Sequence, residues 1–147
     1  SSQGKYPQAE PLYQQALAIR EKALGPEHPD VASTLSSLAT NYSSQGKYPQ
    51  AEPLYQQARA IQEKALGPEH PDVASTLSNM ATNYSNQGKF LQAEQLYRRL
   101  YTLYLRALGP GHIKTMEAMK LYTAATQKVR QRNNEPYKTK RRGRKHR

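Results

Sequence analysis

The chain has 147 residues and a formal charge of +11, with 22 Lys and Arg, 11 Asp and Glu, no Cys, no Trp, 11 Tyr and a single Phe. Its length suits one domain with a core, and the lack of Cys excludes a disulfide framework, a thiolate metal site and a cysteine nucleophile. No apolar run is long enough to span a bilayer and no signal-peptide pattern opens the chain, so a soluble, cytoplasmic protein without membrane contact is expected.

Read from its start, the chain repeats. Gly4, Gly46 and Gly88 stand 42 residues apart, each inside Gln-Gly-Lys, and Gly25, Gly67 and Gly109 keep the same period, each before a Pro. Residues 1–42 and 43–84 differ at four places only: Leu17/Arg59, Arg20/Gln62, Ser37/Asn79 and Leu38/Met80. The third copy, 85–126, keeps 14 of the 42 positions of the second. Units of this kind imply a stacked array, because each leaves an apolar side that only a neighbour can cover.

A first helix is expected near Pro7–Ala23. A second runs from about Pro29 to Ser44, with Val31, Leu35, Leu38, Ala39 and Tyr42 at helical spacing. His28-Pro29-Asp30 fits its start, since Pro is tolerated in a first turn and Asp favours the positive helix end. Gln45-Gly46-Lys47 reads as a tight turn. The third helix, about Pro49 to Ala65, carries Ala51, Leu54, Tyr55, Ala58, Ile61 and Ala65 on its apolar stripe, and Gly67-Pro68 ends it. Pro53 is expected near the first turn, where a missing amide hydrogen has no partner to lose. Further helices are expected at about 72–86, 91–107 and 113–132. In the last, Ile113, Met116, Met119, Tyr122 and Val129 make one apolar stripe, opposite Lys114, Glu117, Lys120, Gln127 and Arg130, as in a terminal cap.

The end of the chain holds most of the charge. Residues 1–84 carry six basic and eight acidic side chains, whereas residues 128–147 carry ten and one. Lys138, Lys140, Arg141, Arg142, Arg144, Lys145 and Arg147 crowd a stretch too poor in apolar residues to fold alone. Residues 133–147 are therefore expected to be a disordered tail. Its functional reading is an electrostatic arm making weak, nonspecific contact with nucleic acid or another polyanion. With only Tyr137 nearby to stack on a base, such contact would lack sequence preference.

The residues Leu35, Leu38, Ala39, Tyr42, Ala51, Tyr55 and Ala58 fall at the signature spacing of tetratricopeptide repeats. Leu77, Met80, Ala81, Tyr84, Ala93 and Tyr97 repeat it, and Ala9, Tyr13 and Ala16 give a preceding half. With Ala-Leu-Gly-Pro-Glu-His-Pro-Asp between units, the chain resembles the kinesin-light-chain type of this family over about residues 1–112. Two departures stand out. Leu100 replaces the small residue at the place of Ala58, and Thr123 and Thr126 stand where Ala and Tyr belong.

The resemblance implies an all-α fold, a right-handed superhelical stack of antiparallel helix pairs over residues 1–132, in units 1–42, 43–84 and 85–126. It implies a scaffold that binds a protein or peptide ligand in its concave groove. By register the groove residues are Ser33, Ser36, Ser37, Thr40 and Ser44, then Ser75, Ser78, Asn79, Thr82 and Asn86, then Lys120. Relatives often clamp a peptide backbone with paired Asn at the 36/37 and 78/79 positions, of which only Asn79 keeps the amide. Ser36 and Ser78 also stand where chaperone-binding relatives place carboxylate-gripping residues.

The chain begins in mid-repeat, so the first helix shows Leu12, Ala16, Ile19 and Ala23 with no upstream partner. That implies a piece of a longer array or self-association through this helix. His28, His70 and His112 recur with the repeat, but equivalent positions lie about one hairpin apart, too far for two imidazoles to share an ion. No catalytic triad, paired carboxylates, phosphate loop or zinc spacing occurs, so no enzyme, metal or cofactor is expected.

Overall fold

The computed structural model describes the backbone of residues 6–145 and the side chains of residues 8–133. Six helices follow in order: α1 (Tyr6–Leu24), α2 (Pro29–Ser44), α3 (Tyr48–Leu66), α4 (Pro71–Asn86), α5 (Phe90–Leu108) and α6 (Ile113–Lys145). There is no strand among the described residues. Each helix packs on the next, and α2 also touches α4, which gives a stack of helix pairs.

The loops follow from the glycines. Gly46 sits at φ 79° and Gly67 at φ 96°, in the left-handed region where a side chain is strained. At Gly46 the chain reverses tightly enough for the Lys47 amide to donate to the Tyr42 carbonyl at 2.9 Å. Pro53 corrects the sequence reading. Since α3 begins at Tyr48, Pro53 lies beyond the first turn, and its missing N–H leaves the Pro49 carbonyl without its helical donor. Both residues are exposed, so water can satisfy that carbonyl.

The small residues sit where the helices cross. Ala39 and Ala51 are fully buried and pack with Tyr55 and with Met80 of the following unit. A second cluster joins Val31, Ala32 and Leu35 of α2 to Ala58 and Ile61 of α3. The third, around Val73, Leu77, Ala81, Tyr97, Leu100 and Leu103, extends to Ala118 and Ala125 of α6. Leu100, larger than Ala58, is thus absorbed in the core against α6. Tyr42, expected on the buried stripe, is half-buried, and Ala65 is exposed.

Polar contacts also join one helix pair to the next. The Tyr42 hydroxyl donates to Glu10 Oε1 at 2.9 Å, and Lys89 pairs with Glu52 at 3.0 Å. Glu27 holds Lys64 at 2.8 Å, and Glu69 holds Arg106 at 3.4 Å in the next unit. These exposed pairs add little energy each, and they fix the register of one unit on another. Asn83, buried between α3 and α4, donates to the Tyr48 carbonyl at 3.1 Å.

α6 departs from its expected form in two ways. It continues to Lys145 rather than ending near 132; Lys and Arg favour a helix there, whereas Asn133, Asn134, Pro136 and Gly143 do not. Its buried side is also different. Thr115, Ala118 and Ala125 face α5 with Tyr122 partly covered, while Ile113, Met116 and Met119 are exposed. Periodicity placed Ile113, Met116 and Met119 together correctly, but only α5 is present to cover α6, and α5 lies against the adjoining stripe.

Candidate functional site

The residues expected to line a groove lie on α2, α4 and α6, the first helix of each pair. Ser33, Thr40, Ser44, Ser75, Asn79, Thr82, Asn86 and Lys120 are exposed, and Ser36, Ser37 and Ser78 are half-buried. They occupy these positions because the opposite faces of α2 and α4 carry the valines, leucines and alanines of the core.

One cavity of about 280 Å³ gathers part of this set. It is lined by Ser36, Ser37, Thr40 and Ser44 of α2, by Asn79 of α4, and also by Ala9, Tyr13 and Asn41. The remaining groove residues of α2 and α4 do not line it. Lys120 belongs to a different cavity of about 470 Å³, bounded by Met116, Met119, Thr123, Ala124 and Gln127 on α6.

Several hydroxyls are already engaged. Ser37 Oγ donates to the Ser33 carbonyl at 3.1 Å, and Ser33 Oγ to the Pro29 carbonyl at 3.3 Å. Thr40 Oγ1 shares a 2.7 Å hydrogen bond with the Tyr55 hydroxyl, and Thr82 repeats it with Tyr97 at 3.3 Å. Their lone pairs remain to accept from a ligand, while Asn79 brings an amide that can both donate and accept. None of the described residues lining the α2–α4 cavity is charged. The Tyr55 hydroxyl is pushed above its ordinary pKa by burial, with the Thr40 hydrogen bond acting the other way, so it stays protonated at neutral pH.

Ala9 and Tyr13 escaped the sequence reading as cavity residues. Their register mates Ala51 and Tyr55 are core residues, and only the uncovered side of α1 turns the same types outward. Asn41 escaped it too, because a polar residue on the buried stripe has no signature in periodicity.

The recurring histidines have a structural task. His28 Nδ1 accepts from the Asp30 amide, His70 Nδ1 from the Asp72 amide and His112 Nδ1 from the Lys114 amide, each at 3.1 Å. Each caps the start of a helix and satisfies an amide that has no intrahelical partner. No group of three or more His, Cys, Asp or Glu suited to a metal ion occurs among the described residues. No described helix is long and apolar enough to cross a membrane. The tail residues Lys138, Lys140, Arg141, Arg142, Arg144, Lys145 and Arg147 lie outside the described side chains.

The tetratricopeptide repeat family model matches residues 1–64, 44–106 and 72–128. No curated protein sequence matches the chain. Among solved structures, a kinesin-light-chain-like protein of nearly identical TPR-like repeats from Podosopora anserina is similar at a TM-score of 0.79 and 28% identity, over 87% of this chain and 61% of that one. A single-residue variant of that protein gives 0.78 and 27%, over 87% and 60%. BtubC (BKLC) from P. vanneervenii gives 0.70 and 27%, over 82% of this chain and 49% of that one. The chain therefore spans about three fifths or less of the length of these relatives. Matched over most of its length, and built of the same stacked hairpins as these structures, the chain belongs to the tetratricopeptide repeat family, in its kinesin-light-chain-like form.

Proposed function

We propose that the chain is a scaffold that holds an extended, largely uncharged segment of a partner protein against α2 and α4. One observation carries the reading: Ser36, Ser37, Thr40 and Ser44 from one helix and Asn79 from another line a single cavity. Short polar side chains there leave room for a backbone to approach, and an amide is suited to pair with a peptide unit. The absence of charge among the described lining residues favours backbone recognition over capture of an acidic or basic motif.

Selection from a peptide display library on the intact chain tests this. The expected binders lack a common charge and lose binding to Ser37→Tyr, which fills the cavity from an already half-buried position on α2. Failure to enrich any peptide, or binders indifferent to that substitution, would contradict the proposal. The second reading, polyanion binding by the basic tail, rests on the ten Lys and Arg against one Glu in residues 128–147. It predicts binders that are acidic and insensitive to Ser37→Tyr.

A further inference from the structure

The polar faces of α2 and α4 are near copies of each other. Ser33 and Ser75 are both exposed, Ser36 and Ser78 both half-buried, and Thr40 and Thr82 both exposed, each pair 42 residues apart. The copy extends to what lies behind them. Thr40 Oγ1 shares a 2.7 Å hydrogen bond with the hydroxyl of the buried Tyr55, and Thr82 Oγ1 one of 3.3 Å with that of the buried Tyr97. The two faces differ at Ser37 against Asn79 and at Ser44 against Asn86. Both helices have helices packed on either side, α1 and α3 for one, α3 and α5 for the other.

The third unit breaks the pattern. At the corresponding positions α6 carries Glu117, Lys120, Leu121, Ala124 and Lys128, so neither the serines nor the threonine recurs there. The duplicated chemistry therefore belongs to α2 and α4. These two helices touch, and helices packed side by side have axes about 8–10 Å apart. An extended chain advances about 3.3 Å per residue, so the step from α2 to α4 takes about three residues.

Building on the scaffold reading above, we infer that the partner segment carries the same uncharged, hydrogen-bonding residue twice, about three positions apart, one copy for α2 and one for α4. A segment laid across both helices meets the same arrangement of hydroxyls at each step, and like surroundings favour like side chains. Each threonine keeps a lone pair to accept with. Ser36 and Ser78, one turn away on the same face, carry hydroxyls that both donate and accept. The side chains suited to such a step are Ser, Thr, Asn and Gln, which also do both. A third copy finds Lys120 and Ala124 in place of the serine and the threonine, so the repetition in the partner is a doublet.

Three libraries of twelve-residue displayed peptides test this on the intact chain. Each prints in tandem a randomised block of unlike residues, with a period of two, three or four. The period-three library should enrich binders above the other two. Those binders should weaken by a similar factor, about 2–10-fold, for Thr40→Ala and for Thr82→Ala. Both threonines are exposed, and unchanged far-ultraviolet circular dichroism confirms that the variants fold. Synthetic peptides with two copies of a selected block should bind more tightly than those with one, and a third copy should bring no comparable gain. Enrichment as strong at period two or four, or a loss at one threonine and none at the other, would overturn the inference alone, provided the binders still respond to Ser37→Tyr. Binders indifferent to Ser37→Tyr, or none from any library, would overturn the scaffold reading and the doublet with it.

Discussion

Replacing Ala51 by Leu probes the feature on which the stack depends most, the close approach of paired helices. Ala51 has no exposed surface and sits among Ala39, Tyr55 and Met80, so the added carbons enter a space already occupied from two units. Overpacking of this kind costs about 1–3 kcal/mol, because side chains leave their rotamers or the helices separate. The repeat supplies its own control. Ala9 occupies the same register in α1 and is only half-buried. Ala9→Leu should therefore cost a fraction of what Ala51→Leu costs. Urea unfolding followed by circular dichroism measures both. With a denaturant slope of about 1–3 kcal/mol per molar, the Ala51 variant should lose about 1 M in midpoint. Repeat arrays can unfold unit by unit, so the slope should be compared as well as the midpoint. Equal losses for the two variants, or no loss for Ala51→Leu, would show that the crossing does not set the helix spacing.

His70→Ala removes the acceptor that caps the Asp72 amide, and should destabilise the chain by about 0.5–2 kcal/mol. Hydrogen exchange at that amide should quicken while the middle of α4 stays protected; unchanged exchange would refute the capping role. Alkaline pH should also weaken the fold. Tyr55, Tyr104 and Tyr42 all have pKa values raised above the ordinary 10.0, with burial the first cause in each. Groups shifted in this direction keep their full contribution below the unfolded value and lose it as pH climbs through the folded one. Melting temperature should therefore hold steady up to about pH 10 and fall beyond it, less steeply in Tyr55→Phe. A Tyr55→Phe profile identical to the wild type would remove Tyr55 from that account.

The hairpins were legible because their determinants are local. Gly46 and Gly67 stop helices through their own backbone conformation, and Ala39 and Ala51 reveal the crossing because nothing larger would fit there. What escaped depends on neighbours. Periodicity placed Ile113, Met116 and Met119 on one stripe of α6 but could not say that α5 lies against the adjoining one. Asn83 looks like a surface residue until the Tyr48 carbonyl at the start of α3 is placed beside it. The histidines read as passengers of the repeat until their ring nitrogens met amides two residues on. The run of Ser, Thr and Asn on α2 and α4 was legible as a polar face opposite the core. Which of those residues share a cavity depends on the angle between the two helices, and spacing does not encode it.

The most direct test of the scaffold reading measures the affinity of one selected peptide for three forms of the chain across a range of salt. The forms are the intact chain, Asn79→Ala and the chain lacking residues 134–147. Groove binding predicts that Asn79→Ala loses about 1 kcal/mol or more, as a hydrogen-bonding partner is withdrawn from a covered peptide unit. It also predicts that tail deletion changes little and that affinity varies weakly with salt. Affinity that vanishes with the tail and ignores Asn79 would contradict it. So would a steep fall with salt, approaching the log–log slope of about −0.9 per neutralised phosphate seen on duplex DNA.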